Sequence, residues 1–99
     1  MQITIRFDKN SSKWVDENFE FNRLLVKTQH EYIKKLYKHQ GYIYLNTIYE
    51  LLGLRWNPYK ENVCWIFERD GEPKISVVPC DSCGKIRIDI FHKSSRLSR

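Results

Sequence analysis

At 99 residues the chain has the length of one domain, and a chain of that size buries about 65% of its unfolded surface, enough for one modest core. Hydrophobic residues at 41%, aromatics at 14%, four glycines and three prolines are a globular composition, which excludes a disordered or low-complexity chain. Seventeen lysines and arginines against twelve acids give a net charge of +5, a bias toward acidic partners or nucleic acid that decides nothing alone.

Residues 1–7, MQITIRF, alternate Ile3, Ile5 and Phe7 with polar neighbours, the period-2 pattern of a half-buried strand. DKNSSK breaks it. From Asp16 or Asn18 to Gln40 there is no glycine or proline. Phe21, Leu25, Tyr32, Ile33 and Leu36 recur at helical spacing there, which predicts a long amphipathic helix ending at Gly41. On that helix Arg23, Lys27, His30, Lys34 and Lys38 fall four, three, four and four residues apart, a basic stripe expected on the face away from the apolar residues. Its bland reading is a solvated face, and Glu31 with Lys35 is the routine pairing of such a face.

Tyr42 to Tyr44 reads as a short extended piece. Asn46 is a good N-cap, Leu45, Ile48, Leu51 and Leu52 form an apolar stripe, and Gly53 suits the position after a helix end. GYIYLNTIYELLG therefore looks like the first half of a helix-turn-helix, but LRWNPYKEN and its Asn57-Pro58 turn leave no room for a recognition helix. Val63 to Arg69 and Lys74 to Val78 are expected to form a β-hairpin on Asp70-Gly71, with Pro73 removing one ladder donor. KIRIDIF, residues 85–91, alternates Ile86, Ile88 and Ile90 and reads as a last strand. The order β-α-α-β-β-β makes a single α+β domain over residues 1–92, an antiparallel sheet packed against one long helix, with 93–99 a flexible basic tail.

The run G-Y-I-Y-L-N-T-I-Y-E-L-L-G-L, with Tyr59, Asn62 and Trp65 in YKENVCW, resembles small uncharacterised accessory proteins of bacteriophages and prophages of Gram-positive bacteria, over roughly residues 24–91. The resemblance implies a phage accessory protein in the cytoplasm of a bacterial host and assigns no catalytic residue.

VVPCDSCGKIRI offers two thiols at C-x2-C spacing with a following glycine, half of a tetrahedral zinc site. The regular hairpin sets Cys64 opposite Val77, on the other face from Cys80, and His92 lies nine residues beyond Cys83 along an extended strand. At about 3.3 Å per residue that is roughly 30 Å away. Cys80 and Cys83 are therefore read as a plain turn, with a zinc or redox module as the lesser alternative. An odd total of three cysteines fits a reducing compartment.

No phosphate loop, nucleophile elbow, metal-binding helix pair or paired buried carboxylates can be assigned, and His30, His39 and His92 read as surface histidines, so no enzyme is expected. No basic-then-apolar leader or long apolar run points to export or a membrane span. Aromatics crowd the second helix at Tyr42, Tyr44, Tyr49, Trp56 and Tyr59, and Trp56 sits in a polar loop. The leading expectation is a non-enzymatic binding protein that grips a host protein or ribonucleoprotein through Arg55, Trp56, Tyr59 and Lys60, in character an anti-CRISPR-like inhibitor. The alternative is a nucleic-acid-binding protein using Arg23, Lys27, His30, Lys34 and Lys38.

Overall fold

The computed structural model describes residues 2–71, 74–79 and 85–91. The alternating first segment forms β1, Gln2–Phe7, and KIRIDIF supplies β5, Ile86–Phe91. They pair antiparallel with Ile3 opposite Ile90 and Phe7 opposite Ile86, and β4, Lys74–Pro79, pairs the other side of β5. The sheet order β1-β5-β4 places the two ends of the described chain in neighbouring strands. Period-2 alternation then puts Ile3, Ile5, Phe7, Ile75, Val77, Ile86, Ile88 and Ile90 on one face.

That face packs under α1, Phe19–Gln40, and α2, Leu45–Leu51, where Val26 and Ile33 meet Ile48, Leu52, Ile88 and Ile90. Asn18 caps α1 by accepting from the Phe21 N–H at 3.0 Å, and Gly41 ends it at φ +86. The fold is α+β, as the pattern predicts, with the long helix over the antiparallel sheet. Among the described residues no helix is long and apolar enough to cross a membrane.

The apolar stripe of α1 lies one position further along than its spacing predicts. Asn22, Val26, Ile33 and Tyr37 are buried, while Phe21 and Tyr32 are exposed and Leu25 and Leu36 are half-buried at the margin. The cause is Asn22, which is fully buried although polar. Its side chain accepts from the Val15 N–H at 3.0 Å and donates to the Val15 carbonyl at 2.9 Å, clasping the loop from β1 and turning the helix to face it.

The Asp70-Gly71 hairpin does not form. β3, Cys64–Ile66, pairs instead with β2, Tyr42–Tyr44, in a separate two-stranded ladder, and one helical turn, α3 at Phe67–Asp70, follows it. The buried Asp70 carboxylate accepts from the Ile66 N–H at 2.8 Å and takes the Arg69 guanidinium on both oxygens, at 3.0 and 2.9 Å. An aspartate so engaged winds a helical turn rather than a two-residue hairpin. Gly71 then takes φ +70, and its carbonyl accepts from the Tyr37 hydroxyl of α1 at 2.7 Å. Cys64 is therefore opposite Tyr44, and Val77 is opposite Ile88, which removes the register on which the Cys64 argument rested.

Candidate functional site

Asn46 is not the cap of α2. Tyr44 holds that position without a side-chain bond, and Asn46 sits buried in the first turn. Its side chain reaches across to residue 57, accepting from the Asn57 N–H at 2.8 Å and donating to the Asn57 carbonyl at 3.2 Å. Asn57 in turn caps a 3-10 turn over Pro58–Lys60, its own side chain accepting from the Tyr59 N–H at 3.0 Å. The Lys60 N–H donates to the Asn57 carbonyl and the Val63 N–H to the Lys60 carbonyl, which delivers the chain to β3.

The other end of the loop is fixed by the exit from α2. The Gly53 N–H donates to the Glu50 carbonyl at 3.0 Å and the Leu54 N–H to the Tyr49 carbonyl at 2.8 Å, a Schellman closure with Gly53 at φ +73. The Ser11 hydroxyl donates to the Leu52 carbonyl, and the Lys13 ammonium to the Leu51 carbonyl.

Between these anchors the aromatic side chains are displayed to solvent. Trp56 is 58% exposed and Tyr59 93%, Arg55 is exposed, and Lys60 is half-buried. The four residues expected to bind a partner thus share one short loop pinned at both ends. Arg55 also lines an open pocket of about 320 Å³ with Arg6, Asp8, Asn10, Tyr49 and Leu54. Sequence reasoning gave Arg6 no role, because the bonds from Ser11, Ser12 and Lys13 to the end of α2, which tie the segment after β1 to the loop, join residues distant in sequence.

The basic stripe is brought together only in part. Arg23, Lys27 and Lys38 are exposed and Lys34 is half-buried, but His30 turns inward among Val26, Ile33, Ile75 and Ile88. The rotation imposed by Asn22 is responsible, since it places the stripe at the edge of the buried face and not opposite it. Arg23, Lys27 and His30 form one wall of a groove of about 260 Å³ whose other wall is Val77, Pro79 and Ile86. Burial lowers the His30 pKa below its ordinary 6.5, helped by the positive charge of Lys34 and opposed by Glu31.

Cys80, Cys83 and His92 lie outside the described residues, as does the basic tail at 93–99. Among the described residues no three His, Cys, Asp or Glu side chains come together as a metal site.

The profile of a family of unknown function, DUF6353, matches residues 3–89. The chain belongs to this family. The match to the family takes in β1, the whole of α1 and the loop from Leu54 to Val63, so the candidate residues all lie inside it. No curated protein and no solved structure matches the chain.

Proposed function

We propose that the chain is a non-enzymatic binding protein that grips a macromolecular partner through Arg55, Trp56, Tyr59 and Lys60. The observation that carries this reading is the exposure of Trp56 and Tyr59, at 58% and 93%, on a backbone held by the Asn46 clasp and the Schellman closure. Large aromatics on a pre-ordered loop lose little conformational freedom on binding, and tryptophan, tyrosine and arginine dominate interface energetics. The partner we name is a host protein or ribonucleoprotein of the bacterial cytoplasm, with the chain as a phage-encoded inhibitor of a defence system. Support for that version is the resemblance of the 41–65 segment to phage accessory proteins.

Capture from bacterial lysate tests it. The wild type is expected to recover one stoichiometric partner, and Trp56→Ala with Arg55→Glu to lose it; recovery of nothing by the wild type overturns the reading.

A second reading is favoured by the groove between α1 and β4. Arg23 and Lys27 stand along an apolar wall, with no acidic residue among the described residues of its lining, an arrangement that suits an anionic ligand such as a nucleic-acid backbone. Binding that weakens steeply with salt, with a shallower slope for Arg23→Ala and Lys27→Ala, supports it; binding insensitive to salt removes it.

A further inference from the structure

We infer that the outward face of α1 is a self-association surface, on which a second copy of this chain packs antiparallel. The rotation of the helix leaves Phe21 43%, Leu24 60% and Tyr32 49% exposed. At about 100° per residue these three and Thr28 fall within one narrow stripe along the outer side of the helix. A row of large, half-exposed apolar side chains on a surface helix marks a contact site.

The charge pattern selects the occupant. Along the stripe the start of the helix carries Asp16 and Glu17 before it and Glu20 in its first turn, with Arg23 and Lys27 turned to the groove beside β4, whereas Lys35, Lys38 and His39 follow at its end. A parallel neighbour opposes like charges at both ends. An antiparallel copy sets acid against base at both ends and also opposes the two helix dipoles favourably. A two-fold axis at Thr28, the small residue in the middle of the stripe, places Leu24 level with the partner's Tyr32 and Glu20 one residue from level with the partner's Lys35. The surface is thus complementary to itself, as an isologous dimer requires.

One helix face is smaller than the roughly 800 Å² a side of a standard interface, so the dimer is a weak one. Sedimentation velocity on the full chain, from low micromolar to millimolar concentration, tests it. The wild type is expected to pass from monomer to dimer over that range. Leu24→Glu, at an exposed position, is expected to stay monomeric with an unchanged circular dichroism spectrum. Glu20→Lys alone is expected to weaken the dimer at least tenfold, and Glu20→Lys with Lys35→Glu in one chain to restore it. A wild type that remains monomeric at millimolar concentration overturns the inference and leaves the stripe to a different partner. Dimerisation of Leu24→Glu at wild-type strength, or failure of the charge exchange to restore association, overturns it equally.

Discussion

Asn46 spends its side chain on Asn57 and leaves the α2 N-terminus without a side-chain cap, so its contribution lies in the loop and not in the helix. Asn46→Ala strands the Asn57 N–H and carbonyl in a part-buried position, and a stability loss of about 1–3 kcal/mol is expected in urea denaturation. Gly53 is irreplaceable for a different reason. A Cβ there meets the Ser11 and Ser12 hydroxyl oxygens and the Lys13 Cγ at 2.8–2.9 Å, and the backbone is left-handed at φ +73. The Ser11 hydroxyl is itself committed to the Leu52 carbonyl. Gly53→Ala should therefore cost about 1–3 kcal/mol by the same assay. His30 gives the fold a pH dependence of definite sign. Its folded pKa is depressed by burial and by Lys34, against 6.5 for the ordinary side chain, so below 6.5 the unfolded chain binds more protons than the folded one. Stability is lost as the pH falls from just above that value through the folded pKa. Thermal melts of wild type and His30→Gln should diverge toward acid, the wild type losing ground as the pH falls below 6.5.

At the scale of elements, the long helix, the first and last strands β1 and β5 and the glycine stops after α1 and α2 were legible, because each rests on a local pattern. The hairpin was not, since Asp-Gly is a turn signal only while the aspartate side chain is free to leave it so. Here the Asp70 carboxylate holds the Ile66 N–H and Arg69, pushing that guanidinium further toward its charged form. Asp70→Ala should free the Ile66 amide and cost about 1–3 kcal/mol, seen in hydrogen exchange as faster loss of the Ile66 proton than of protons in β5. The rotation of α1 was hidden for a related reason. Periodicity fixes the width of an apolar stripe, but a buried polar residue such as Asn22, paired across a loop to Val15, decides which edge of the stripe faces the core. Of the candidate site, the exposed Trp56 loop could be read from Asn57-Pro58. The inward turn of His30 and the proximity of Arg6 to Arg55 depend on helix rotation and strand pairing, which no short motif encodes.

The molecule as a whole is a single layer of helices over one face of a three-stranded sheet, with the small β2-β3 ladder joining the helices to each other. The proposed contacts rest on three features: the aromatic loop after α2, the basic groove beside β4 and the exposed apolar stripe along α1. We propose that the loop binds because its aromatics are displayed on a backbone already in place. The most direct test is calorimetric titration of the captured partner against wild type, Trp56→Ala and Tyr59→Ala, with thermal midpoints measured in parallel. Each substitution is expected to leave the midpoint unchanged, and Trp56→Ala to raise Kd by about 30-fold or more, the loss of about 2 kcal/mol that marks an interface hot spot. A Trp56→Ala chain that binds with the wild-type Kd contradicts the account.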